Sequence, residues 1–341
     1  MSTPPPWWQA PACHEVADGV HRIVLSMPND GLRAVNVYAV ELGTGRDLAL
    51  VDGGWAVPSA FAELTAGLAT IGRAPADVRD VYVTHIHRDH YTFAVRLRER
   101  HGTRVHLGRP EQPGLHGVQR LGSNVPTTSL HQLRRSGAAR LADDVLAATI
   151  REPFDAGDWA DPDHWLDPGP IEVGHRTLEA VATPGHTKGH LVFHDAEQRL
   201  LFSGDHVLPT ITPSIGFELG DWDLPLGHYL RSLESLLARP DAILLPAHGL
   251  PGGSVHQRVR VLLDHHDDRL AQTRAAVAAA PRQSAAAVAA RLSWTRRAEP
   301  LAQLDQFNQM VAICETIAHL DLLAERGEVD AETRSGVDLF R

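Results

Sequence analysis

Short apolar runs alternate with amphipathic stretches over roughly the first 250 residues of the chain. Runs rich in β-branched residues and bounded by turn residues predict strands, here over 20–28, 34–42, 47–54, 77–85, 104–108, 176–185, 190–195, 199–208 and 241–249. Apolar residues at helical spacing predict helices over 58–72, 91–102 and 223–240. Strands that alternate with helices in this way are typical of an α/β layered fold.

The pattern changes in two places. Between residues 109 and 171 it weakens into helical stretches and turn-rich segments, which predicts a long insertion. Such an insertion is either a lid or binding loop, or a surface elaboration without a role. Beyond this first region the pattern turns helical, over 258–280, 284–294 and 304–329. We therefore predict a first domain over residues 1–257 and a small helical C-terminal domain over 258–341.

Composition narrows the classes of protein. The 341 residues are 43% hydrophobic, enough for a large core, and carry a formal net charge of -10, which disfavours nucleic-acid partners. Cys13 and Cys314 provide neither a disulfide framework nor a cysteine-based zinc site. The start lacks the features of a secretory signal, and no apolar run is long enough to cross a membrane. We expect a soluble cytoplasmic protein, with Trp7 and Trp8 packing a proline-rich arm onto its body.

Candidate chemistry begins with a cluster of histidines. The segment 83–92 reads VTHIHRDHYT, so His85, His87, Asp89 and His90 fall within six positions directly after a predicted strand. His85 and His87 can reach one metal ion, and Asp89 and His90 can reach a second. Imidazole and carboxylate ligands suit Zn²⁺ and are compatible with Fe and Mn. The alternative is a histidine-rich exposed loop.

Three later segments each place one candidate ligand just past a predicted strand. These ligands are His186 in ATPGHTKGH, Asp205 in LLFSGDHVL and His248 in ILLPAHG. Each signal alone is weak, because a lone histidine is usually an ordinary core or surface residue and an aspartate after glycine usually caps a turn. Together they favour a site that collects side chains from several strand ends.

In order and residue type, these motifs resemble the metallo-β-lactamase-fold hydrolases. The His-x-His-x-Asp-His string is followed by Pro-Gly-His, by Ser-Gly-Asp and by a late histidine before glycine, and the match spans roughly residues 20–249. The resemblance implies a four-layered αββα sandwich that carries its metals at one edge of two sheets. It is specific for the fold and the metal site and poorly specific for the substrate.

The resemblance also implies a role for each ligand. One ion would be held by His85, His87 and His186, and the other by Asp89, His90 and His248, with Asp205 bridging both. Asp52, at the end of an early strand, is either an aspartate that orients ligand histidines or a simple turn residue. Tyr91 stands where many family members have glycine, and we expect it to pack on the sheet rather than donate to an oxyanion.

The expected activity is metal-dependent hydrolysis. Two cations would produce a hydroxide nucleophile at neutral pH from a bound water, and Asp89 would orient that nucleophile or shuttle a proton. The first expectation for the substrate is a small carbonyl compound, namely a thioester, ester or lactone. The alternatives are a nuclease of the same fold, a mononuclear iron oxygenase acting on persulfides, and a non-catalytic module.

The arginines and the C-terminal region carry weaker signals. Arg96, Arg98 and Arg100 are expected on a solvated surface rather than in a basic groove. The helical region after residue 258 resembles the winged-helix-like domain of some lactamase-like hydrolases, which covers the active-site mouth or builds a homodimer. Within it, His265 and His266 are expected at the surface.

Overall fold

A computed structural model describes residues 12–28, 30–217, 219, 222–280, 282–295 and 297–341. The predicted packing of Trp7 and Trp8 lies outside these residues. The strands in the described part are β1 Cys13–Ala17, β2 Val20–Ser26, β3 Ala34–Glu41, β4 Leu48–Val51, β5 Val78–Val83, β6 Arg104–Gly108, β7 His164–Leu166, β8 Gly169–Val173, β9 Arg176–Ala182, β10 Leu191–Asp195, β11 Leu200–Gly204, β12 Ile243–Pro246, β13 Gln283–Ser284, β14 Ser293–Trp294, β15 Glu299–Pro300, β16 Ala331–Arg334 and β17 Val337–Phe340.

The helices of the same residues fall on both sides of the sheets and in the C-terminal region. They are α1 Ala60–Thr70, α2 Arg88–His101, α3 Gln112–Leu121, α4 Thr127–Arg135, α5 Ala139–Thr149, α6 Pro225–Leu237, α7 Val255–Ala278, α8 Ala285–Ala289 and α9 Gln306–Glu325. In this part of the chain, no helix combines the length and apolarity needed to cross a bilayer.

Two sheets form the centre of the molecule. Strands β1 to β7 lie side by side in chain order, and a second sheet has the order β12-β11-β10-β9-β8. Strand side chains alternate between faces, so neighbouring residues join different cores. In β10, Phe193 packs between the two sheets, whereas Val192 packs toward the helices outside the second sheet. With α1 and α2 covering the first sheet, the result is the predicted αββα layering.

Strand direction determines which edge of the sandwich carries the candidate metal ligands. Strands β4, β5 and β6 are parallel, as are β11 and β12, while β9 runs antiparallel to β10, which is itself antiparallel to β11. The segments that follow β4, β5, β6, β9, β11 and β12 consequently emerge at one edge. All the predicted ligands lie in these segments.

The insertion is more regular than the sequence pattern indicated. It contains α3, α4 and α5, followed by β7 and β8, which extend the two sheets. Buried residues of α4 and α5 share one apolar core with α6, α7 and α9, which includes Leu133, Val145, Leu233, Leu262 and Ile317. The weak pattern arose because these short helices bury narrow apolar stripes against other helices. The C-terminal region therefore packs tightly on the insertion.

Candidate metal centre

Three histidine nitrogens meet at one point above the end of β5. His87 Nδ1 lies 3.0 Å from His85 Nε2 and 3.0 Å from His186 Nε2. Because His87 Nδ1 carries either one N–H or one lone pair, it can form a linear hydrogen bond with only one of the two facing nitrogens. Zn–N bonds of about 2.0–2.1 Å at tetrahedral angles separate two ligand nitrogens by about 3.3 Å. The spacing thus approaches that of a tri-histidine zinc site.

Acceptors behind two of these rings fix which nitrogen faces the centre. His186 Nδ1 donates to the carbonyl oxygen of Ser214 at 2.8 Å, which leaves Nε2 with its lone pair toward His87. His85 Nδ1 lies 3.0 Å from Thr84 Oγ1, whose hydroxyl donates to Asp52. His85 therefore also presents an unprotonated Nε2. The chain holds both rings in the tautomer that a metal requires.

A second group lies at the start of α2. The Asp89 Oδ2 atom is 3.3 Å from His248 Nε2 and 3.5 Å from His90 Nε2. His248 Nδ1 donates to the carbonyl oxygen of Ala34 at 2.8 Å, and His90 Nδ1 donates to Asp52 Oδ2 at 2.9 Å. Both rings again direct Nε2 inward, so this group offers two nitrogens and one carboxylate.

Asp205 lies between the two groups. Its Oδ2 atom is 3.5 Å from His186 Nε2, and its Oδ1 atom is 3.4 Å from His248 Nε2. The turn at Gly204 that delivers this carboxylate has a φ of 50°, and a Cβ there would meet Thr84 Oγ1 at 2.6 Å. One oxygen thus faces each group, which is the arrangement expected of a bridging ligand.

Unsatisfied polar atoms support a cation at this position. Among the residues that the structure describes, His90 Nε2, His248 Nε2 and Asp205 Oδ1 are buried and have no hydrogen-bond partner. Leaving such an atom unpaired costs about 1–3 kcal/mol, and three of them converge here. Divalent cations would satisfy all three atoms. The residues present therefore fit a metal centre, and the donor types suit zinc.

The electrostatics of the two groups differ. Burial lowers the pKa of His87 to about 3 and that of His186 to about 4, which keeps these rings neutral. Burial also lowers the pKa of His90 and His248, but carboxylates outweigh it and raise them to about 10 and about 9. Asp205 contributes to both increases. The side of the centre that contains Asp89 and Asp205 therefore favours positive charge. Without a metal, protons on His90 and His248 supply that charge.

Asp52 does more than end a strand. It adopts a left-handed φ of 64°, is 2% exposed, and accepts hydrogen bonds from the amide and hydroxyl of Thr84 and from His90 Nδ1. One carboxylate thereby orients His90 directly and His85 through Thr84. Of the two sequence interpretations of this residue, the contacts favour the orienting one.

Two residues near the centre were missing from the sequence prediction. His190 accepts a hydrogen bond at Nε2 from the Asp205 amide at 3.2 Å, and its ring stacks on His85. Glu111 is 3% exposed and contacts the loop that carries His186. His190 was visible as the second histidine of GHTKGH. Glu111 follows β6, and its position after a strand beside β5 was the available signal.

Several local predictions can be compared with the structure. The helix predicted over 91–102 begins earlier, at Arg88, so Asp89 and His90 lie in its first turn rather than in a loop. Tyr91 is buried and donates to the carbonyl oxygen of Ala160, as the packing interpretation expected. The expectation for His266 was wrong, because its ring is 0% exposed.

The arginines considered for substrate binding are engaged elsewhere. Arg96 pairs with Glu99, Asp155 and Asp158, and the guanidinium group of Arg100 lies over the Phe61 ring. Arg135, on helix α4 of the insertion, forms ion pairs with Asp321 and Asp338 of the C-terminal region. Aromatic rings instead flank the centre.

Aromatic rings lie close to two residues of the histidine string. The Phe217 ring lies 6.0 Å from the His87 ring and 5.8 Å from that of Phe307, which is 57% exposed. The Arg88 guanidinium lies 4.2 Å from the centroid of Trp55. Phe217 from the first region and Phe307 from α9 therefore form an apolar cluster beside His87.

Comparison with known proteins assigns the family. The sequence profile of the metallo-beta-lactamase superfamily matches residues 30–248. The chain belongs to this superfamily. The matched range runs from just before β3 to just after β12, and it includes all seven predicted ligands.

Curated relatives are distant. A lactamase-like protein of Trichophyton rubrum is 24% identical over 260 residues, which are 76% of this chain and 63% of that protein. The beta-lactamase-like protein 2 homolog of Caenorhabditis elegans is 23% identical over 75% of this chain and 70% of its own length. An atrochrysone carboxyl ACP thioesterase of Paecilomyces divaricatus is 37% identical, over only 27% of this chain and 29% of its own.

Solved structures match over almost the whole chain. A metallo-beta-lactamase family protein from Thermus thermophilus has a TM-score of 0.75 and 26% identity, covering 96% of this chain and 99% of that one. A beta-lactamase domain protein from Burkholderia ambifaria has a TM-score of 0.76 and 28% identity, covering 96% and 93%. Both similarities extend over the C-terminal region as well as the sandwich.

Proposed function

We propose that this chain is a hydrolase that uses two divalent cations, with zinc the first candidate, on a small carbonyl substrate such as a thioester, ester or lactone. The main support for the proposal is the convergence of seven side chains, several of whose inward-facing atoms lack partners within the described part of the chain: His85, His87, Asp89, His90, His186, Asp205 and His248. A tri-histidine group beside an Asp-His-His group, with Asp205 between them, matches the ligand types of two adjacent cations.

The bound cations would supply a water that ionises near neutral pH and a Lewis acid for the substrate oxygen. The chain's own residues would do the rest. Asp205 separates the two groups, and Asp89 adds negative charge beside His90 and His248. We assign Asp89 the catalytic role of orienting the attacking water and accepting its proton. Asp52 would hold His90 in the ligating tautomer.

A covalent mechanism has little support from the cysteines. Cys314 is buried in α9, where burial raises the pKa of its thiol to about 12. Burial also raises the pKa of Cys13, on the outer strand β1. Neither thiol is poised to ionise at neutral pH, and reactive thiols need a lowered pKa. Direct attack by water is therefore the mechanism that we propose.

Three observations support a carbonyl substrate over a phosphodiester. One relative is named as a thioesterase, although the similarity covers a short stretch. Arg96 and Arg135 are ion-paired, and the chain carries a net charge of -10, whereas nucleic-acid binding requires free cationic surface. The apolar cluster of Phe217 and Phe307 beside His87 favours a substrate with an apolar part.

We also propose the domain division at residues 257 and 258, with a winged-helix-like second domain. Its support is topological: helices α7, α8 and α9 accompany a three-stranded sheet in the order β13-β17-β16, in which β16 and β17 form a hairpin. The division falls within the first turn of α7, which begins at Val255. A cytoplasmic location and a homodimer remain predictions.

Metal content and substrate range test the proposal together. We expect about two zinc equivalents per purified chain, and hydrolysis of at least one thioester, ester or lactone in a panel that includes phosphodiesters. Asp205→Asn should abolish turnover, because the bridge between the two groups is lost, whereas the exposed Asp143→Asn on α5 should retain it. One iron per chain would favour the persulfide oxygenase instead, and hydrolysis of phosphodiesters alone would favour the nuclease.

A further inference from the structure

Glu111 is a buried carboxyl group at the metal-site edge. It ends a single helical turn, Arg109–Glu111, that follows β6, and it is 3% exposed. Its carboxylate accepts a hydrogen bond from Thr187 Oγ1 at 2.5 Å, and the backbone N–H groups of Ile86 and Gly189 act as further donors that lower its pKa. Three donors from two different loops thus converge on one side chain.

The positions of these donors in the chain show which segments Glu111 contacts. Ile86 lies between His85 and His87, and Thr187 directly follows His186. All three members of the tri-histidine group are therefore next in sequence to a residue that donates to Glu111. Within the described residues, no hydrogen bond joins Glu111 to a histidine; its donors are the Thr187 hydroxyl and two backbone N–H groups.

Close backbone contact makes this connection rigid. A Cβ on Gly189 would lie 2.5 Å from the amide nitrogen of Glu111, and a Cβ on Gly108 would lie 2.2 Å from the carbonyl oxygen of Gly189. The segment after β6 and the loop after β9 therefore touch through their main chains. Small displacements of Glu111 are transmitted directly to the loop that carries His186.

Burial of this carboxyl group costs desolvation free energy, which argues against a role in which the side chain only fills space. Burial raises the pKa of Glu111 to about 7, although its three hydrogen bonds and nearby Lys188 oppose the increase. An apolar side chain would avoid that desolvation penalty. It could not accept from the three donors, which would then remain buried without partners.

We propose that Glu111 is a positioning residue that fixes the tri-histidine group before any metal binds. This inference rests on the proposed function, because it assigns His85, His87 and His186 to one cation. Its counterpart is Asp52, which contacts His90 and, through Thr84, His85. The two acids thus contact different segments that carry the candidate ligands.

The test uses the full chain with Glu111→Ala and Glu111→Gln. Glu315→Gln is the matched control, because Glu315 is another carboxyl group whose pKa burial raises, on α9. Zinc affinity is measured by competition with a chromophoric chelator, and His186→Ala identifies the equivalent that belongs to the tri-histidine group. Hydrogen exchange of the Ile86 and Gly189 amides is measured in metal-free protein.

We expect Glu111→Ala to weaken that zinc equivalent by about tenfold or more, as loss of outer ligand contacts does, and to leave the other equivalent within about threefold. Exchange at both amides should accelerate at least about tenfold. Glu111→Gln keeps one acceptor oxygen and should show smaller changes of the same kind, and it carries the test if Glu111→Ala does not fold. The control should match wild type in both measurements.

Wild-type zinc affinity and wild-type amide exchange in both variants would overturn the inference. A loss of thermal stability without either change would overturn it as well, since that result marks a purely structural role. If wild-type protein binds no zinc, the proposed function fails separately, and the exchange data alone decide whether Glu111 fixes the two loops.

Discussion

Asp52→Asn is the substitution that tests the tautomer argument. Asp52 accepts from the Thr84 amide at 2.8 Å through one oxygen and from His90 Nδ1 at 2.9 Å through the other. Asparagine has nearly the same shape and tolerates the left-handed backbone at this position. If its amide oxygen faces Thr84, its NH₂ group faces His90. The imidazole must then accept at Nδ1 and carry its proton on Nε2.

The consequence is the loss of one ligand without a cavity. A proton on His90 Nε2 points toward Asp89 and Asp205, where a cation would otherwise bind. Disrupting such a contact typically costs about 10–100-fold in metal affinity, which corresponds to about 1.4–2.7 kcal/mol. The pKa of His90, which the charge of Asp52 helps to raise, should also fall.

The assay is zinc competition at about pH 7 on wild type, Asp52→Asn and the exposed control Asp143→Asn, with circular dichroism to verify folding. We expect one of the two zinc equivalents to weaken by about 10–100-fold in Asp52→Asn and neither to change in the control. Equal affinities in a folded Asp52→Asn protein would refute the idea that this carboxylate selects the histidine tautomer.

Three further predictions concern stability. Arg135→Ala should lower the free energy of unfolding in urea by about 2 kcal/mol, because two partly buried carboxylates lose their partner. The control Arg134→Ala, at an exposed residue, should change it by less than about 1 kcal/mol, and equal effects would contradict the prediction. Gly185→Ala should lower the free energy of unfolding by at least about 2 kcal/mol, because the φ of Gly185 is 151° and the new Cβ would lie 2.4 Å from a Cα of α6. Gly117→Ala on α3 adds its Cβ to open space and should not destabilise the protein. Burial lowers the pKa of His319 from 6.5 to about 4, so its contribution to the free energy of unfolding is present above pH 6.5 and is lost as pH falls toward 4. Lowering the pH from about 7 to about 5 should therefore reduce the free energy of unfolding of wild type by about 2 kcal/mol more than that of His319→Gln. Parallel pH profiles of the two proteins would contradict this.

The clustering of the candidate ligands was predictable because each follows a strand with a clear apolar signature. Strand β5 ends at Val83, and the histidine string begins two residues later. His186, Asp205 and His248 follow β9, β11 and β12 in the same way. Parallel strands bring such segments to one edge, so the sequence alone indicated where these side chains would gather.

The supporting residues were harder to predict because their partners are distant in sequence. Glu111 acts on backbone amides near residues 86 and 189, and neither amide leaves a mark on the local pattern. His266 was expected at the surface because charged residues follow it, yet its ring packs against His319 and Tyr229 from two other helices. Helix packing of this kind is set by tertiary contacts rather than by local periodicity.

Anomalous X-ray diffraction from zinc-soaked crystals tests the central claim most directly. We expect two zinc peaks, one within about 2.0–2.2 Å of His85 Nε2, His87 Nδ1 and His186 Nε2, and one bound by Asp89, His90 and His248. Both peaks should contact Asp205. No peak at this edge of the sandwich, or peaks held by other residues, would contradict it.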